Sequence, residues 1–131
     1  MYSFGPRSAA RLLTCHKDLQ RLMNEAIKGP VDFTVLCGYR SQIEQDAAVT
    51  AGASKLHWPK SKHNKYPSLA VDVVPYPIDW DDITRFQALA NHINATAKKL
   101  GIFVRHGADW NMNGIRQEEK EWDWPHWELM I

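Results

Sequence analysis

The chain is poor in most features that would tie it to an oxidising compartment, a polyanion or a membrane. It has only two cysteines, Cys15 and Cys37, in unrelated segments. That excludes a disulfide-stapled secreted scaffold and predicts two reduced core thiols. Neither lies in a Cys-x-x-Cys or Cys/His cluster, so no metal role is expected of them. Charge of one sign is missing too: 16 basic residues stand against 15 acidic ones, for a net charge of +1. Broad attraction to nucleic acid or to a membrane surface is therefore not expected. No run approaches the roughly 20 apolar residues that cross a bilayer. The opening Met1-Tyr2-Ser3-Phe4-Gly5-Pro6-Arg7-Ser8 lacks the basic start, apolar stretch and cleavage site of a signal peptide. Synthesis in a cytoplasm is the expectation. Internal repeats, low-complexity stretches and linkers are also missing. What remains, 131 residues of 44% hydrophobic content, suffices for one domain spanning 1–131 with a real core.

Residues 1–28 read as helical, with Leu12, Leu13, Leu19, Leu22, Met23 and Ile27 forming an apolar stripe. Ser8 is the expected N-cap, Gly29-Pro30 the stop, and a break near Cys15–His16 would make two helices. Asp32-Phe33-Thr34-Val35-Leu36-Cys37 reads as a strand. After the Gly38 turn, Ser41 and Glu44 form a capping box for a helix over 42–50. Residues 51–67 read as an irregular loop, of a length that is usually functional or mobile. Leu69-Ala70-Val71-Asp72-Val73-Val74 is a short strand closed by Pro75. A helix from about Asp82 to Leu100 ends at Gly101. Strands follow at 102–105 and 126–129, with a polar loop over 111–122. Long helices and separated short strands predict an α+β domain on a small, mainly antiparallel sheet.

Asp72 is the physical oddity: a carboxylate inside an apolar strand is costly unless paired or bound to a metal. His63, in a loop beside Lys60, Lys62 and Lys65, reads locally as a solvated histidine. His126, between Trp124 and Trp127 at a strand start, needs a polar partner. Two imidazoles and one carboxylate can hold a zinc ion and leave one position for water. Asp123, three residues before His126, is then placed as general base. Its alternative is a loop carboxylate capping the turn before Trp124-Pro125. Glu128 is the rival base, or else a partner behind His126 or a surface charge. Asp109 is a candidate to orient a ligand imidazole. Arg40 is either a surface arginine or a fork for a substrate oxygen. Ser61 and Gln45 are weaker candidates for substrate contact, and Trp110 is either a cleft wall or core. His16, His57, His92 and His106 read as ordinary surface or boundary residues.

Five segments in register carry a resemblance. They are Asp32-Phe33-Thr34-Val35 with Gly38-Tyr39-Arg40-Ser41; Ser61-Lys62-His63 with Ala70-Val71-Asp72; Ile78-Asp79-Trp80; Gly107-Ala108-Asp109-Trp110-Asn111; and Asp123-x-x-His126 with Glu128-Leu129. Together they resemble the zinc L-alanyl-D-glutamate peptidases of bacteriophage endolysins, relatives of the VanY-type D-Ala-D-Ala carboxypeptidases and, more distantly, of hedgehog signalling domains. The resemblance implies one zinc ion held by His63, Asp72 and His126, with Asp123 as catalytic acid and base and Arg40 as the substrate arginine. It implies cleavage of the L-Ala–D-Glu bond in the peptidoglycan stem peptide, after release from the host cytoplasm with help from a separately encoded holin. A monomer is the default. A bare catalytic domain, without a cell-wall-binding domain, fits a phage of Gram-negative hosts. Two rivals stay open: a D-Ala-D-Ala carboxypeptidase or dipeptidase on the same zinc site, and a non-catalytic binding module with structural zinc. One departure stands out. The family's Ser-x-His-x-x-Gly-x-Ala-x-Asp run is two residues longer here, through Asn64-Lys65-Tyr66-Pro67-Ser68-Leu69, and lacks its glycine. A bulging loop is expected to absorb the difference.

Overall fold

The computed structural model describes residues 1–110, 112 and 123–131. The loop expected over 111–122 therefore lies, Met112 apart, outside the described residues, as does Asn111. Helices α1 (Pro6–Leu12) and α2 (Lys17–Ala26) precede strand β1 (Phe33–Cys37) and helix α3 (Gln42–Thr50). A 3-10 turn, Lys62–Asn64, leads to β2 (Ala70–Pro75), α4 (Ile83–Leu100), β3 (Val104–His106) and β4 (His126–Leu129). The four strands form one antiparallel sheet in the order β1-β2-β4-β3. This is the α+β architecture that the sequence pattern predicts.

The N-terminal region divides near Cys15–His16, and the His16 side chain caps α2 by accepting from the Asp18 N–H at 3.0 Å. Ser8 is not the N-cap of α1. Gly5 takes that position, and the Ser8 hydroxyl instead reaches β1, accepting from Val35 N–H at 3.0 Å. Leu13 falls after α1 ends and is exposed, so it drops out of the expected stripe. Strand β3 begins two residues later than expected, and β2 includes Pro75.

Period-two alternation gives the sheet two different faces. Phe33, Val35, Val71, Val73, Val104, Trp127 and Leu129 point into the main core, against Leu19, Leu22 and Met23 of α2 and Leu89, Ala90 and Ile93 of α4. The other face carries Asp72 and Val74 on β2 and His126 and Glu128 on β4. A smaller cluster of Val74, Phe86, Ala108 and Trp124 covers only part of it. Among the described residues the rest stays open, and there the polar side chains gather.

The longer interval between His63 and Asp72 is absorbed outside this face. Ser68 is pinned at both ends of its peptide unit: its N–H donates to Thr14 O at 2.8 Å, and its carbonyl accepts from His16 N–H at 2.8 Å. Just before this anchor Tyr66 is exposed and packs edge-on against Tyr39, with ring centroids 5.2 Å apart.

Helix α4 closes on Gly101 at φ 72°, ψ 30°, and a Cβ there would meet open space. Gly101→Ala should therefore cost about 1 kcal/mol, all of it left-handed backbone strain. Urea denaturation should show a lower midpoint with an unchanged slope.

Candidate metal centre and cleft

Antiparallel pairing sets Asp72 on β2 directly opposite His126 on β4. Asp72 Oδ1 lies 3.4 Å from His126 Nδ1 and 3.3 Å from His63 Nε2. The two imidazole centroids are 5.2 Å apart. His63 reaches the sheet from the 3-10 turn, whose geometry is fixed by a reciprocal cap. Ser61 Oγ accepts from His63 N–H at 3.2 Å, and Asn64 Oδ1 accepts from Ser61 N–H at 3.1 Å. Three chain segments thus converge on one carboxylate.

The far nitrogen of each imidazole determines what its near nitrogen can do. His63 Nδ1 faces the Gly38 carbonyl at 2.7 Å. A carbonyl only accepts, so Nδ1 carries the proton and Nε2 presents a lone pair in the neutral ring. His126 Nε2 faces Glu128 Oε1 at 2.8 Å, which leaves His126 Nδ1 as the free donor atom. Glu128 is itself held by Arg105 at 2.9 Å and Lys62 at 3.2 Å. Gly38 has to be glycine: a Cβ there would run into the Thr14 hydroxyl and the Arg11 carbonyl.

Burial alone would raise the pKa of Asp72, but the adjoining imidazoles outweigh it and hold the carboxyl far below the usual range. Burial opposes a charged His63, yet Asp72 pushes it up to about 10. His126 also moves upward against burial, through Asp72 and Glu128. Without a metal, the cluster therefore holds a proton at neutral pH. A divalent cation could replace that proton. Donor atoms lie within 4.8 Å of one another in two overlapping groups, Cys37 with His63 and Asp72, and Asp72 with Asp123 and His126, which share the Asp72 carboxylate. The donor set and its outer partners fit such an ion.

Asp123 stands next to this cluster. Donor atoms of Asp72, Asp123 and His126 lie within 4.8 Å of one another. Its main chain is clamped: Asp123 N–H donates to Gly107 O at 2.6 Å, and its carbonyl accepts from His126 N–H at 3.1 Å. A side chain at position 107 would strike that same carbonyl, so Gly107 lets the loop sit close. Desolvation, then the charge on Asp72, raises the Asp123 pKa, which suits a group that must take and return a proton.

Glu128 cannot serve as the rival base. Burial opposes its charge, but His126, Arg105 and Lys62 bring its pKa down to about 2, and its oxygens are already engaged. The outer nitrogens of His63 and His126 face Gly38 O and Glu128 rather than Asp109. Gln45 is fully buried and does not line the cleft. It braces Arg40, whose guanidinium donates to Gln45 Oε1 at 3.0 Å, and Asn64 donates to the same oxygen at 3.1 Å. Ser61 borders the cleft, but its hydroxyl is committed to capping His63. Arg40 lies 3.6 Å from Asp72 Oδ2. Trp110 tilts against His126 at 5.4 Å and walls the cleft.

Two of the other histidines, His106 and His92, are more structural than expected, whereas His57 is exposed and His16 half-buried. His106 is buried and stacked on Trp127 at 4.2 Å. His92 Nε2 donates to Ala26 O at the end of α2 at 2.8 Å. Cys15 is buried, which pushes its thiol up to about 12. Cys37 is only half-buried, and its sulfur, His63 and Asp72 present donor atoms within 4.8 Å of one another. It is no plain core thiol. The β-bulge between Val35 and Cys37, opposite Asp72, puts it there.

Comparison with known proteins gives a consistent picture. The family profile "Phage L-alanyl-D-glutamate peptidase" matches residues 1–130. The chain is 36% identical over 123 residues to the L-alanyl-D-glutamate peptidase of Escherichia phage T5, covering 90% of this chain and 88% of that protein. Its structure is similar to the crystal structure of the Serratia marcescens L-Ala D-Glu endopeptidase ChiX, with TM-score 0.76 and 30% identity over 97% of this chain and 90% of that one.

Two measurements test the centre. Adding a divalent transition metal to metal-free protein near pH 7 should release about one proton per chain, detectable with a weakly buffered indicator. Glu128→Gln should weaken metal binding by about 10–100-fold while the fold persists, as read by competition with a chromogenic chelator.

Proposed function

This chain belongs to the phage L-alanyl-D-glutamate peptidase family, and we propose that its hydrolysis depends on a zinc ion held by His63, Asp72 and His126. It is a peptidoglycan endopeptidase of the endolysin type, acting on the L-Ala–D-Glu bond of the stem peptide. The observation that carries the zinc assignment is the donor arrangement. Asp72 lies between two imidazoles whose far nitrogens are tied to the Gly38 carbonyl and to Glu128. When bound, zinc supplies a Lewis acid that polarises the scissile carbonyl and acidifies water.

The chain's own groups do the rest. Asp123, open to the cleft, takes the proton of the attacking water as its oxygen bonds to the amide carbon of L-Ala. Asp123 returns that proton to the D-Glu nitrogen as the C–N bond breaks, so the carboxylate is regenerated. Arg40, held by Gln45, offers its guanidinium to the negative charge growing on the carbonyl oxygen. Trp110 shields one side of the reacting centre from bulk water. No helix among the described residues is long and apolar enough to cross a membrane. Passage to the peptidoglycan by way of a holin, and a monomeric state, complete the proposal. The family match favours the endopeptidase over the D-Ala-D-Ala carboxypeptidase and the non-catalytic module.

His63→Ala and His126→Ala should each abolish zinc retention and hydrolysis. Asp123→Ala should keep zinc and the folded state but lose at least about 100-fold in kcat. Near-normal turnover by Asp123→Ala would sink the base assignment. Mass spectrometry of digested sacculi should show new D-Glu amino termini, lost with a chelator and restored by zinc. Release of free D-alanine instead would support the carboxypeptidase.

A further inference from the structure

We propose that Trp80 is a stacking platform for the sugar that carries the stem peptide, an N-acetylated muramic acid unit of the glycan strand. The proposal rests on the L-Ala–D-Glu reading and adds a subsite to it. Trp80 lies just before α4 and is 54% exposed, yet it is rigidly backed. Its indole stacks over Phe86 with centroids 5.9 Å apart and planes 26° apart, and Phe86 in turn sits 6.2 Å from Trp124. Trp124 directly follows the proposed base, Asp123. An aromatic row thus runs from the reacting centre to the surface, and all three rings line the same cleft as His63 and Asp72.

Size and charge choose the occupant. The cleft measures about 840 Å³, the range of sites that enclose a drug-sized molecule and more than an Ala–Glu dipeptide fills. On the acyl side of the scissile bond, L-Ala is the only residue before the lactyl group of the sugar, a span of at most about 3.6 Å of chain. Any extension of the cleft in that direction meets the sugar almost at once. On the leaving side, D-Glu brings a free carboxylate, which suits the part of the cleft bordered by Lys55 and Lys60. The aromatic row bears no charge. It matches the neutral sugar, whose C–H face can lie on an indole while its hydroxyls stay wet.

The test compares two substrates: a disaccharide-linked stem peptide, and the same peptide bearing a lactyl cap without sugar. Wild-type protein should show kcat/KM about tenfold higher for the sugar-linked form. Trp80→Ala should bring the ratio to within about twofold of unity, and Trp80→Phe should retain most of it. Equal loss on both substrates with Trp80→Ala would assign Trp80 to the peptide and overturn the proposal. Absence of discrimination by wild-type protein would overturn it whatever the variants do, leaving the peptidase reading intact. Failure of wild-type protein to cut either substrate would remove both.

Discussion

Everything at this site depends on one carboxylate in an apolar strand. Val71 and Val73 are fully buried on either side of Asp72, and a lone ionised carboxylate there would be strongly destabilising. Two imidazoles remove that problem, and only because each comes from a different part of the chain and is held by its outer nitrogen. A proton held between Asp72 and the imidazoles would offset the carboxylate charge. The arrangement also suits a cation, because Asp72 belongs to both groups of donor atoms, one with His63 and Cys37 and one with His126 and Asp123.

The surrounding structure fixes those donors in place. Gln45 is the quiet centre of one half. Its buried amide joins Arg40, Asn64, Ser54 and the Leu56 carbonyl, which ties α3 to the 3-10 turn and to the irregular 51–61 segment. Glu128 is the centre of the other half. It links β4 to β3 through Arg105 and to the His63 turn through Lys62. Buried polar networks of this kind restrict side-chain geometry. Activity in such an enzyme depends on tolerances well under an ångström.

The sheet's two-sidedness explains how a small domain affords an open cleft. One face consumes α2 and α4 in the main core. Among the described residues the other is only partly covered, by Phe86, Trp124 and Ala108, and the remainder holds the site. A family that hydrolyses a bond in a large polymer needs this openness, because its substrate cannot be enclosed.

Much of this was legible in the sequence. The helix over 42–50 was announced by Ser41 and Glu44, the end of α4 by Gly101, and Asp72 by its incongruity among valines. Local chemistry determines such features, so local sequence reveals them. Of the outer partners only Glu128, one of whose readings was a partner behind His126, was legible. Gln45 read as a substrate contact but is fully buried, Ser61 read as one but spends its hydroxyl on capping the His63 turn, and His106 read as a surface or boundary residue but stacks in the core. Cys37 reached the site only through a bulge. Which side chain faces which depends on strand register and on loops that return from distant positions, and neither leaves a mark at the residue itself. The sequence alone determined the chemical types available, two imidazoles and two carboxylates, and the elements that carry them. The tertiary structure decided their tautomers and pairings and which carboxylate remained free for chemistry, because hydrogen-bond geometry exists only once the segments have met.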